Sequence, residues 1–86
     1  MITNNQMVFT IRALYPQITP EDHGREYWVG MPIKDEIQSG PAWIIEWRFT
    51  DILIPTTEDI NAKWEEVKSE YFLFELENNI RNHRNV

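Results

Sequence analysis

The segment from Pro55 to Arg84 constrains this chain most, because its spacing reads as one long helix in a protein of 86 residues. Pro55-Thr56-Thr57-Glu58-Asp59 is a helix start: the Thr56 hydroxyl is placed to accept the Asp59 backbone N–H, and the Asp59 carboxylate to accept the Thr56 N–H. Glu58 and Asp59 set negative charge at the positive end of the helix dipole. Ile60, Trp64, Val67, Tyr71 and Phe74 then recur at intervals of four, three, four and three, which puts them on one stripe. Arg81, His83 and Arg84 fall in the last turns, where cations face the carbonyl end. The predicted helix covers about 57–84.

The first stripe ends at Phe74, while Phe72, Leu73, Leu76 and Ile80 begin another on a rotated face. Two apolar faces require two partners. From Glu58 to Arg84 the helix would run roughly 40 Å, whereas a compact domain of this length has a radius of gyration of about 12 Å. The helix is therefore expected to overhang its domain. Tyr71, Phe72, Leu73, Phe74, Leu76 and Ile80 become the candidate partner interface, rimmed by Glu70, Glu75, Glu77 and Arg81, because monomers seldom leave such a patch in water. The competing reading is a bent helix wrapped on the core, or cover from another part of the chain. Cutting the chain after Ser69 is expected to remove the interface and spare the tryptophan core.

The length allows one domain with one small core, 1–86. Its net charge of −6, from 14 acidic and 8 basic residues, repels phosphate backbones and argues against nucleic-acid binding. Seven acids, Glu58, Asp59, Glu65, Glu66, Glu70, Glu75 and Glu77, lie on the long helix against Lys63 and Lys68. A solvated polar face accounts for them, and an acidic surface that mimics nucleic acid is the sharper alternative. With no cysteine there are no disulfides or thiolate metal sites. Met1-Ile2-Thr3-Asn4-Asn5-Gln6 has neither a basic run nor an apolar core of signal-peptide type, and no apolar run is long enough to span a bilayer. The reading is of a soluble, intracellular product with no membrane partner.

Earlier in the chain, Asn4 or Asn5 is placed to cap a helix over about 5–15, with Met7, Ile11, Leu14 and Tyr15 on one face and Val8 and Phe9 beside them. Pro16 stops it. Residues 17–24 form a loop. Glu21, Asp22 and His23 are adjacent there, but three neighbours in a loop do not easily converge on one ion, so no metal is expected. A first strand covers about 26–33, weakened by Gly30 and Pro32. Residues 34–41 connect it to a second strand over about 42–49. There, alternation places Trp43, Ile45, Trp47 and Phe49 on the core face and Ile44, Glu46 and Arg48 opposite. Core packing of these rings is preferred to a stacking platform for bases or sugars. Ile52 and Ile54 are expected to face inward. The order helix, strand, strand, long helix gives an α+β fold (α-β-β-α), with Trp64 and Val67 against Trp43, Ile45 or Trp47 and with Ile11 and Leu14 covering the remainder.

No chemistry for catalysis is visible. Gly24, Gly30 and Gly40 are scattered, and neither histidine accompanies a nucleophile. Glu46 on the strand and Glu65 or Glu66 on the helix are placed to approach as a carboxylate pair, but amphipathic folds produce such pairs by chance. The chain reads as no enzyme, with no cofactor.

Three stretches do carry a resemblance. Ala13-Leu14-Tyr15-Pro16, Glu46-Trp47 and the run Ile54-Pro55-Thr56-Thr57-Glu58-Asp59-Ile60-Asn61-Ala62-Lys63-Trp64-Glu65-Glu66 resemble small tail-region proteins of bacteriophages and prophages, including the XkdW-like family. The shared pattern is a first helix ending in Tyr-Pro, a strand with an acid and a Trp, and a helix with a Pro-Thr cap and a Trp-Glu-Glu run. Many small tail-fibre assembly proteins share that capped helix. The Tyr71–Leu76 run and the basic end depart from it. The resemblance implies a phage setting: a tail structural subunit or fibre chaperone, in the virion tail or in the host cytoplasm during assembly. Its partner would be a fibre or baseplate component, or another copy of itself. The alternative from another class is an acidic counter-defence inhibitor.

Overall fold

A computed structural model describes residues 1–84, with side chains as far as Glu77. In chain order it contains helix α1 (Asn4–Leu14), a 3-10 turn (Pro20–Asp22), strands β1 (Tyr27–Gly30), β2 (Ile33–Lys34), β3 (Ile37–Gln38) and β4 (Trp43–Trp47), and helix α2 (Thr57–Arg84). The fold is α+β, with two small antiparallel sheets, β1-β4 and β2-β3.

α1 is capped one residue earlier than the sequence suggested. Thr3 is its N-cap: Thr3 Oγ1 accepts from the Gln6 N–H at 3.2 Å, and Gln6 Oε1 accepts from the Thr3 N–H at 3.0 Å. Threonine with glutamine three residues on satisfies two orphan donors at once, which neither Asn4 nor Asn5 achieves here. The helix ends at Leu14 with Tyr15 as its C-cap, directly before Pro16. Thr10 and Ile11 are fully buried, and the Thr10 hydroxyl donates to the Gln6 carbonyl at 2.7 Å, which satisfies a polar group in the interior. α1 is thus enclosed on two sides. It is the element that touches both α2 and β1.

The expected docking of α2 on the sheet is replaced by docking on α1. Ile60, Val67 and Tyr71 are buried as the stripe requires. Trp64 meets Tyr71 and Phe72 edge-on at 5.6 and 6.0 Å rather than lying on Trp43, Ile45 or Trp47. The cap of α2 forms as read from the sequence: Thr56 Oγ1 accepts from the Asp59 N–H at 3.1 Å, and Asp59 Oδ2 accepts from the Thr56 N–H at 3.2 Å.

β1 and β4 form the central pair, and their register corrects the alternation. Tyr27 faces Trp47 and Trp28 faces Glu46, but Val29 faces Ile44 and Gly30 faces Trp43, leaving Ile45 as an extra residue. Such a bulge reverses which parity of side chains points inward. Trp47 and Phe49 therefore stay in the core as predicted, joined there by Ile44, while Trp43 and Ile45 emerge at 47% and 59% exposure. Ile45 lies over Gly30, where a Cβ would come within 2.6 Å of Ile45 Cδ1. Glycine makes room there for the bulged side chain. Ile52 packs on the core, but Ile54 is exposed, contrary to the inward placement expected.

The segment 34–41, expected to be wholly a connection, contains the β2-β3 hairpin. Asp35 (φ 54) and Glu36 (φ 67) both take left-handed conformations in its two-residue turn. Asn or Gly normally marks such a turn, so the sequence masks it. Around Tyr27 an aromatic cluster closes the core, with Trp47 at 5.6 Å and Phe49 at 6.0 Å. The Trp47 Nε1–H donates to the Ile52 carbonyl at 2.8 Å, and the Tyr15 hydroxyl to the Leu53 carbonyl at 2.8 Å, fastening the 48–54 segment to β4 and to the end of α1.

Candidate interaction surface

The predicted partner patch separates into two faces. Helical geometry turns Tyr71 and Phe74 toward α1 and Phe72, Leu73 and Leu76 away from it. Tyr71 is buried, with Phe9 at 5.3 Å and Trp64 on its other side, so it belongs to the internal packing. Burial, reinforced by the nearby Glu75 carboxylate, pushes its hydroxyl pKa above the ordinary tyrosine value. Phe74 lies 6.2 Å from Phe9 yet is 52% exposed. Phe72, Leu73 and Leu76, at 52%, 62% and 55%, form the outward face. Ile80 lies outside the residues whose side chains are described, as does the rim residue Arg81.

The cause of this exposure is a mismatch of lengths. α1 has 11 residues and α2 has 28, or about 16 and 42 Å at the helical rise. One short helix cannot cover the long one. The radius of gyration of 13.9 Å exceeds the value typical of a compact domain of this length, about 12 Å, and the longest extent of 42 Å is comparable to the length of α2.

Charge on α2 is partly neutralised within the helix. Lys63 pairs with Glu66 at 3.1 Å and Lys68 with Glu65 at 2.6 Å. Glu46 pairs instead with Arg48 at 3.2 Å, so the carboxylates of the pair suggested by the sequence are held in separate ion pairs. Arg48 also stacks over Trp28, 4.5 Å from the ring centre. In the 17–24 loop, Asp22 Oδ2 accepts from the Thr19 N–H at 2.9 Å and the His23 ring turns to Tyr27 at 5.4 Å. These groups point to different neighbours, and among the described residues no cluster of three or more such side chains could hold a metal ion.

Between α1 and the second half of α2 lies an open groove of ≈ 650 Å³ that sequence reading missed. Phe9 and Ala13 line it from α1 and Phe74 from α2, with Arg12 and His23 on one rim and Glu70 and Glu75 on the other. The only sequence signal was the placement of Phe9 beside, rather than on, the main stripe of α1.

These features define a small α+β domain with a protruding helix, an open apolar face on that helix and a groove at its root. No described helix is long and apolar enough to cross a membrane. A family model described as XkdW protein matches residues 7–71, and the chain belongs to this phage-associated family. The match ends at Tyr71, directly before the exposed run of α2. No curated protein and no solved structure matches the chain.

Proposed function

We propose that this protein is a structural or assembly component of a phage tail, a fibre- or baseplate-associated subunit or fibre chaperone, that works by binding another protein through the second half of α2 and not by catalysis. The observation that carries this reading is the outward face of Phe72, Leu73 and Leu76, each more than half exposed on a helix that outruns its own domain. Membership of a phage-associated family supplies the setting. Large side chains at i, i+1 and i+4 suit burial in a partner's groove or helix bundle, and aromatic and branched anchors of this kind dominate binding energy.

The test is co-purification of the full chain with the tail-fibre and baseplate proteins of its phage, alongside light scattering at low and high salt. Wild type is expected to bind one of them, or itself, and to remain bound at high salt, since apolar docking is weakly screened and charge mimicry strongly screened. The Leu73→Glu/Leu76→Glu variant is expected to keep its circular dichroism and lose binding. Unchanged binding by a folded double variant refutes the role of this face.

A further inference from the structure

We propose that the groove between α1 and α2 receives a helix from a partner protein, apolar along one stripe and basic along the flank that lies over α2. This rests on the reading of α2 as a binding element but concerns a different surface of it.

Two helices packed side by side leave a seat for a third, because side-chain ridges of the incoming helix fit the groove between them. Here the groove opens over Phe9, Ala13 and Phe74, and the Phe74 ring is 52% exposed at its edge. Its volume of ≈ 650 Å³ accommodates several apolar side chains, within the range of a few hundred to about 1,000 Å³ over which proteins build binding clefts.

Charge selects the occupant. Arg12 and His23 make the α1 rim basic, so only the flank over α2 calls for a cation: Lys63 and Lys68 are engaged by Glu66 and Glu65, and no cation among the described residues lies within ion-pair distance of Glu70 or Glu75. A helix settling into the groove removes water from those two carboxylates, which is unfavourable unless the incoming flank brings Lys or Arg. A second copy of this chain is a poor occupant. Its available apolar stripe, Phe72, Leu73 and Leu76, is flanked by Glu70, Glu75 and Glu77, and the neighbouring Lys68 is already engaged by Glu65, so among the described residues it brings no free cation to the Glu70 and Glu75 rim.

The experiment titrates two synthetic helical peptides of about 16 residues, long enough to hold helix, into the full-length protein. They share one Leu/Phe stripe and differ in carrying Lys and Arg, or Glu, on one flank only, the other flank being uncharged. Calorimetry and amide chemical shifts report affinity and location. The basic peptide is expected to bind at least about tenfold more tightly, with shifts at Phe9, Ala13 and Phe74. Ala13→Trp, which fills the seat, should weaken it by a similar factor, Glu70→Lys/Glu75→Lys should reverse the preference between peptides, and Leu73→Glu should leave both unchanged. A folded Ala13→Trp variant that binds normally, or a charge-reversed variant that keeps the original preference, overturns the proposal. So does a concentration-dependent dimer that Ala13→Trp abolishes, because the occupant is then a second copy. Failure to capture a tail protein leaves the peptide selectivity intact, so the two readings fail separately.

Discussion

Tyr27 is the residue on which several demands converge. It is fully buried among aromatic rings, and its hydroxyl has no hydrogen-bond partner among the described residues. Burial raises its pKa above the ordinary value of 10.0, Arg12 acts in the opposite direction, and Asp22 adds to the rise. In the unfolded chain tyrosine ionises near pH 10, so above that pH the folded state holds its proton more tightly than the unfolded one. The contribution to stability is fully present below pH ~10 and is lost as pH rises toward the folded-state pKa. Tyr27→Phe removes an unsatisfied buried hydroxyl while keeping the ring. It is expected to leave stability at pH 7 unchanged or raise it by up to ~1 kcal/mol, and to flatten the alkaline fall. Urea titrations at pH 7 and above pH 10 check both. A loss of 2 kcal/mol or more would show that the hydroxyl has a partner after all.

At the scale of elements, the β1-β4 bulge decides which side chains of the Trp43–Trp47 strand are core. Strict alternation would bury Ile45 and expose Ile44, whereas the observed register does the reverse. Ile45→Lys is therefore expected to change stability by no more than ~0.5 kcal/mol, while Ile44→Lys should destabilise by ~2–3 kcal/mol by burying a cation beside the core. Thermal melts of the two variants order them. If Ile45→Lys is the more damaging, the register is wrong. The bulge was not legible because nothing in Trp-Ile-Ile-Glu-Trp distinguishes one isoleucine from the next. Gly30, which makes room for Ile45 on the partner strand, reads in isolation only as a weak strand end.

Across the whole molecule, the boundary between core and protrusion falls within two residues. Tyr71 packs between Phe9 and Trp64, and the exposed face begins at Phe72. A chain ending at Tyr71 gives up the half-exposed Phe72 and Phe74 contacts and is expected to keep most of its stability, and one ending at Ser69 to lose a further ~3 kcal/mol or more with its buried aromatic anchor. Near-ultraviolet dichroism and denaturant midpoints of the two truncations test this. Equal stabilities would place the boundary earlier, as the Ser69 cut assumed.

What the sequence determined by itself is local or periodic. The Thr56-Asp59 cap follows from groups three residues apart, and the Ile60-Trp64-Val67-Tyr71 stripe from the helical repeat. The stop at Tyr15 follows from the ring of the next proline. The length of α2 against the size of the domain already implied overhang. The tertiary structure alone decided what depends on distant chain segments lying side by side. Placing α1 between α2 and the sheet buried Thr10 and took Trp64 away from the strands. One extra residue in β4 exchanged Ile44 for Ile45. The crossing of two helices of unequal length turned a single aromatic run into a buried anchor, a groove and an outward face, because a side chain's surroundings are set by which element lies against it and not by its neighbours along the chain.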